Sequence, residues 1–254
     1  MERYIHPDAK IGKNCEIGPF TVIHESAVIG DECRIGSHVV IYPGTNIGRG
    51  VRIDDHTVIG KLPMKAKMSA ITKEKKLEPA IIGDHAIIGT SVTIYAGCRI
   101  GRNVLVADYA SVREDCIIGD GTIIGRGVTV ENRVTIGRFC KIETEAYITA
   151  LSEIGDYCFV SPEVTFTNDN FMGRTKDRFK YHKGVTMKRG ARVGANATVL
   201  PGLIIEEDGV VAAGSVVTRN VPAGVIVMGS PARYFRDVPE EQLLKNQDFF
   251  IDEK

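Results

Sequence analysis

The chain has 254 residues, with 32 basic and 32 acidic side chains and no tryptophan. Balanced charge removes the electrostatic case for a general nucleic-acid or anionic-membrane binder. No apolar run reaches the roughly 18 residues needed to span a bilayer, and the opening MERYIHPDAK lacks a basic segment followed by an apolar one, so the sequence predicts no signal peptide and a cytoplasmic protein.

Within residues 1–60, stepping by six from Ile5 gives Ile11, Ile17, Ile23, Ile29, Ile35, Ile41, Ile47, Ile53 and Ile59, every one isoleucine. The series resumes at Ile82 and runs through Val106, Ile124 and Ile142 to Phe166, then again from Met187 to Val217. Four residues after each aliphatic stands a small or β-branched residue such as Ala9, Cys15 or Thr21, and glycine often follows the aliphatic directly. A period of six is not a helix face, which repeats every 3.6 residues. It fits a short strand and a tight corner, with one large and one small side chain pointing inward. Three such units make a triangular coil of about 18 residues, and coils stack at the interstrand spacing of about 4.8 Å. The six cysteines fall in pairs 18 apart, Cys15/Cys33, Cys98/Cys116 and Cys140/Cys158, all at the small inward position. They are read as buried free thiols, since metal-type spacing is missing.

The repeat breaks twice. Residues 61–81 form a basic and polar insertion, and residues 167–184 form a second one, TNDNFMGRTKDRFKYHKG. Long loops inserted in a rigid scaffold usually carry function. In the second, Asn168, Asp169 and Asn170 cluster where the chain leaves the coil. Phe171, Phe179 and Tyr181 offer rings to stack on a planar base, and Arg174 or Arg178 can pair with phosphate. The main body runs over 82–235, and Pro239–Leu244 reads as a short helix within a 236–254 segment capping the last coil.

This hexapeptide pattern resembles that of the hexapeptide-repeat acyltransferases over almost the whole chain. The resemblance implies an all-β fold, a left-handed parallel β-helix with two inserted loops and a short C-terminal helix. It also implies a homotrimer using acetyl-CoA as co-substrate, with no metal. The stretch Lys188–Val199, continuing through AAGSVVTRNVP to GSPARY, is similar to the acetyl-CoA-binding end of that family. The matching positions are Gly194, Ala195, Ala213 and Gly214 for the pantetheine arm, and Arg219 and Arg233 for the CoA phosphates. Phe166-Thr167-Asn168 leading into a loop is similar to the branch that N-acetylates UDP- or dTDP-linked amino sugars, although the usual Pro-Arg is replaced by Phe171-Met172-Gly173-Arg174. The first half also looks like the acyltransferase that starts lipid A synthesis. That enzyme carries a catalytic histidine in an element resembling Val106–Cys116; here Arg113 or Glu114 occupies the region and histidine is absent, so the sequence is read as related to that enzyme and not as the same one.

Acyl transfer needs a nucleophile, assistance with its proton and a donor to the developing oxyanion. No histidine lies between residues 86 and 181. That gap favours an amine acceptor, which needs weaker assistance than a hydroxyl. Glu143 and Glu145 are the candidates to orient or deprotonate it, Ser161 should stack beside Glu143, and His182 could reach from the loop. The expected substrate is a nucleotide-linked amino sugar, with no nucleic-acid or membrane partner. An O-acyltransferase of the same fold is the alternative. A γ-type carbonic anhydrase would need three histidines at coil interfaces, and an ice-binding rod would need ranks of exposed threonine.

Overall fold

The computed structural model describes residues 2–64 and 76–247. The inserted segment 61–81 and the end of the 236–254 cap therefore lie partly outside the described residues. The chain folds as a parallel β-helix in which two-residue strands build three sheets of 11, 10 and 12 strands. Here they are called faces 1, 2 and 3, in the order the chain visits them, and the corners between them the 1/2, 2/3 and 3/1 edges. Register confirms the coil length: Ile124 pairs with Ile142, and Ile142 with Val160.

Every aliphatic of the six-residue series points inward and stacks on its counterpart one coil away. From Ile23 to Val217 these side chains are essentially inaccessible to solvent, and only Ile5, Ile11 and Ile17 are partly open, at the end of the rod. Burying one such side chain is worth roughly 1.5–3 kcal/mol, so the column is the main source of cohesion. Its identity as Ile and Val suits both the strand and the dry interior.

Two further devices keep the coils in step. The residue after the aliphatic must be small where the next coil crowds it: a Cβ on Gly12 would sit 2.5 Å from the Gly30 carbonyl carbon. The space is used by a column of aspartates. Asp31 Oδ1 accepts the Lys13 N–H at 2.6 Å, and Asp120 and Asp156 do the same for Arg102 and Arg138, satisfying corner donors that have no ladder partner. The left-handed backbone lies two residues further on. Asn14, His38 and Tyr109 adopt φ of 56°, 57° and 61° there, so the stacked coils, rather than glycine's freedom, impose that conformation.

The small inward position has its own chemistry. Thr122 Oγ1 donates to the Gly137 carbonyl at 2.8 Å and accepts the Cys140 N–H at 3.0 Å. On the same face Cys140 and Cys158 donate through Sγ to the Gly155 and Lys188 carbonyls at 3.0 Å. All six cysteines are free thiols, five of them buried, and burial, with Cys98 beside it, pushes the Cys116 thiol well up.

At the far end, a hairpin of Val225–Gly229 and Ala232–Asp237 extends face 3. Where the sequence suggested a helix, the chain makes two 3-10 turns, Glu240–Gln242 and Leu244–Asn246. The break between them is fixed by Asp208, whose Oδ1 accepts the Leu244 N–H at 3.1 Å. None of the described helices is long and apolar enough to cross a membrane.

Two outcomes test this packing. Thr122→Val, which leaves a buried carbonyl and N–H unpaired, should cost about 1–3 kcal/mol in denaturant unfolding, whereas Thr122→Cys should cost less, continuing the column of Cys140 and Cys158. In a thiol titration of the native protein, only Cys15 should react readily, with all six reacting after denaturation.

Candidate functional site

Both insertions leave the rod at the same edge. The first departs after the face 1 strand Val58–Lys61 and returns at Ile81–Ile82 on face 2; the second departs after Thr165–Phe166 and returns at Thr186–Met187. Four corners of the 1/2 edge lie between them, so their exits are roughly 24 Å apart at the coil spacing.

Those corners carry a buried charge cluster. Glu114 is 6% exposed. It accepts both forks of the Arg113 guanidinium, Nε at 2.8 Å and Nη2 at 3.2 Å. Arg113 also reaches Glu131 at 3.5 Å and lies over the Tyr95 ring at 5.1 Å, which Lys61 approaches at 5.5 Å. Tyr147, projecting from face 1 beside this group, has its phenol pushed up by burial and by the Glu131 charge. Asn132 and Thr149 are buried on the same edge. From the sequence alone, Arg113 and Glu114 do no more than occupy the place of an absent histidine. The contribution of Tyr95, Glu131 and Tyr147 was missed, although Tyr95 and Glu131 lie one 18-residue coil before and after Arg113; Tyr147 joins from the neighbouring face 1 strand.

The second loop is organised by Asp169. Its carboxylate accepts the Phe171 and Gly173 N–H groups at 2.8 and 3.0 Å and the Arg178 Nη1 at 3.1 Å, and the His182 Nε2 faces it at 3.6 Å. The Gly173 N–H, opposed by partial burial and joined by Phe171, His182 and Arg178, holds the Asp169 carboxyl below its ordinary value. The His182 ring is mostly covered, with Phe179 edge-on at 5.8 Å, and its Nε2 is buried without a hydrogen bond among the described residues. The structure thus brings together two residues to which the sequence gave separate roles, a carboxylate facing an imidazole at 3.6 Å. Phe171 and Tyr181 pack together at 5.8 Å, with Tyr181 exposed. Arg178 carries the ion pair, and Arg174 is exposed on the outer turn. Asn168 closes the base, its carbonyl accepting the Lys183 N–H at 3.4 Å. Gly184 closes the other side because the Leu151–Ser152 backbone leaves no room for a Cβ.

The remaining candidates, Arg219 excepted, occupy the 3/1 edge, across face 1 from the loop. Register stacks Glu143, Ser161 and Gly194 on successive coils. Gly194 lies against Ala213, where a Cβ would meet the Ala213 nitrogen at 2.5 Å, and the Gly214 N–H donates to Ala195 at 2.8 Å. Glu145 is an exposed corner residue paired with Arg126 at 3.4 Å. Arg233 joins this edge through the hairpin tip, since Gly229 N–H donates to Ser215 Oγ at 3.1 Å and Met228 pairs with Arg233. Arg219 follows Val217 and lies on the 1/2 edge. A small-residue stripe with a carboxylate thus bounds one side of face 1, and a loop with a carboxylate–imidazole pair bounds the other. Between them, face 1 presents Thr93, Ser111, Thr129, Tyr147 and Thr165.

Comparison with known proteins gives three family matches. They are the GMPPB C-terminal domain over residues 21–108, the bacterial transferase hexapeptide (six repeats) over 97–132, and the hexapeptide repeat of succinyl-transferase over 189–219. The 2,3,4,5-tetrahydropyridine-2,6-dicarboxylate N-acetyltransferase of Clostridium perfringens is 53% identical over 49 residues, 19% of this chain and 21% of that protein. Its Staphylococcus aureus counterpart is 42% identical over 55 residues, 22% of this chain and 23% of that protein. The matched stretch therefore spans about a fifth of the length of these curated relatives. Among solved structures, LpxA, a UDP-N-acetylglucosamine acyltransferase from Bacteroides fragilis, is 26% identical with a TM-score of 0.53, covering 91% of this chain and 71% of that one.

Two measurements test the geometry. Arg113→Met strands a buried carboxylate and should cost about 3–5 kcal/mol; adding Glu114→Leu should recover part of it. A carboxyl whose folded pKa is depressed stabilises the folded loop fully above its unfolded value, about 3.9, and that contribution is lost as pH falls through the lower folded value. The Phe171 and Gly173 amide resonances should therefore hold their positions at neutral pH and shift only below about pH 4, whereas Asp169→Asn should displace them at pH 7.

Proposed function

We propose that this chain, a hexapeptide-repeat protein with named acyltransferases among its relatives, transfers an acetyl group from acetyl-CoA to the amino group of a nucleotide-linked sugar. The observation carrying this reading is that both insertions leave one edge and bracket a buried charge cluster, while the other edge of face 1 carries the small-residue stripe.

The reaction joins the sugar nitrogen to the thioester carbonyl carbon and breaks the carbon–sulfur bond, and CoA leaves as the thiol. The ammonium proton must be removed before attack. His182, facing Asp169, is the group suited to take it. Its 3.6 Å separation from Asp169 is longer than a hydrogen bond and would tighten as the proton is taken. An extended pantetheine arm needs close access to backbone N–H groups, and Gly194, Ala195, Ala213 and Gly214 provide that, with Arg233 near the end of the stripe for phosphate. Glu143 and Ser161 stand on the same edge, two coils and one coil before Gly194 respectively, where they would meet the acyl end. Phe171, Tyr181 and Arg174 on the loop are the surfaces for the base and diphosphate of the nucleotide.

The two halves lie on different edges of one prism and cannot close on one substrate within a chain. They meet if face 1 of each subunit turns towards a threefold axis, which sets the 1/2 edge of one copy against the 3/1 edge of the next. Such an interface is heterologous and closes as a ring.

The native mass should be three times 27.7 kDa by sedimentation. With acetyl-CoA and a panel of UDP- and dTDP-linked amino sugars, mass spectrometry should find an amide. His182→Ala should lower kcat about 100-fold or more at neutral pH, with activity recovering as rising pH deprotonates the amine without help. Product acylated only on oxygen, or loss of activity that alkali does not restore, would point to the O-acyltransferase.

A further inference from the structure

Away from both edges discussed above, a cavity of about 270 Å³ opens on face 3 and the 2/3 edge. Its floor is the outward column Lys141, Phe159 and Arg192, on three successive coils. One wall is the corner pair Phe139 and Tyr157, stacked at 5.3 Å with planes 15° apart. The opposite wall is the C-terminal turn, brought there by Asp208 and by Leu244 against Gly190.

The cavity contains an unfinished ion pair. Arg192 Nε and Nη2 are both buried and have no hydrogen-bond partner among the described residues. These two nitrogens form the side-on fork of a guanidinium, and four other arginines of this chain close that same fork on a carboxylate: Arg49 on Glu32, Arg52 on Asp54, Arg102 on Asp120 and Arg113 on Glu114. In the column of Arg192 the neighbours are Phe159 and Val210, which offer none. Two acids also line the cavity, Asp208 and Glu241; Asp208 spends Oδ1 on the Leu244 N–H, and neither hydrogen-bonds the Arg192 fork. Burial pulls the Arg192 pKa down, with the Asp208 charge opposing it. A guanidinium desolvated in this way is costly unless an anion meets it, and the fork matches a planar two-oxygen acceptor.

We propose that this cavity is a binding site for a small aromatic carboxylate, whose carboxylate closes the Arg192 fork and whose ring lies among Phe139, Tyr157 and Phe159. The ammonium of Lys141 adds a second positive charge at the floor. Three aromatic rings distinguish this ligand from a bare inorganic anion, and a volume of about 270 Å³ accepts one ring with its acid group. The site is independent of the acyl-transfer reading, since it shares no residue with it.

Benzoate is the probe, benzamide its uncharged counterpart and inorganic phosphate the anion without a ring. Calorimetry on the full chain should show saturable benzoate binding, one per chain, at least tenfold tighter than either control. Arg192→Gln should weaken it at least tenfold while leaving the far-ultraviolet spectrum unchanged. In the wild-type protein benzoate should shift and protect the Arg192 Nε–H resonance, which decides the matter if the variant does not fold. Benzoate binding no tighter than benzamide, an unmoved Arg192 Nε–H, or full affinity in Arg192→Gln would overturn the proposal. Phosphate binding as tightly as benzoate would overturn the aromatic part of it.

Discussion

The inward stacking of each aliphatic side chain on its counterpart in the next coil governs the rest of this molecule. A strand of two residues has little cohesion of its own, and it persists because Ile142, for example, sits between Ile124 and Val160 with all three out of water. That stacking fixes the coil at 18 residues, and the fixed coil puts outward side chains into columns as strict as the inward ones. A surface feature in this fold is therefore a run of residues at one phase of the repeat. Insertions are confined as well. The strands are hydrogen-bonded on both sides, so an added segment must leave at a corner, and both insertions here leave at the same one.

This explains why so much of the architecture was legible in the sequence. The series from Ile5 to Ile59 states the coil length, and the free, buried cysteines follow from their place at the small inward position. The shared exit edge was legible too, because Ile59 and Phe166 occupy the same phase of the three-face cycle, although the reading from sequence did not use it. What escaped is what depends on chain path outside the coils. Asp169 and His182 are 13 residues apart in a loop with no period, brought together by the turn from Phe171 to Gly173 and the short helix Arg178–Tyr181. The choice of Arg178 over Arg174 as the partner of Asp169 has the same origin. At the far end, Pro239–Leu244 carries a helix-like start, yet Asp208 captures the Leu244 N–H and divides the segment into two 3-10 turns.

The arginines show how one local chemistry acquires different meanings from its column. Arg102 finds Asp120 one coil on, and the pair is a half-exposed surface bridge of the kind that contributes about 0–1 kcal/mol. Arg113 finds Glu114 next to it and Glu131 one coil on, in a corner sheltered by Tyr95 and Tyr147, and becomes the centre of a buried cluster. Arg192 finds Phe159 and Val210 and is left with its fork unfilled. Residue type alone does not separate these cases. The coil arithmetic does, because it names the neighbours above and below.

A rod of this kind also divides rigidity from adaptability. Each coil is held by ladder bonds, a packed column and aspartate-capped corners, so its outward groups are fixed in spacing but cannot be drawn together. Residues on the 1/2 and 3/1 edges stay apart by the width of face 1 whatever binds. A site that needs groups from both must obtain one of them from another copy of the rod, and only a segment free of the coil can then adjust to what binds. The second loop is such a segment. Its order rests largely on one carboxylate shared among Phe171, Gly173, Arg178 and His182, a far smaller set of contacts than any coil enjoys. Local stability of that low order is where substrate-dependent movement is expected in a protein. The imidazole offered as the base is thus placed on the least rigid part of the second half of the rod, where it can close on an acceptor that the coils could only align.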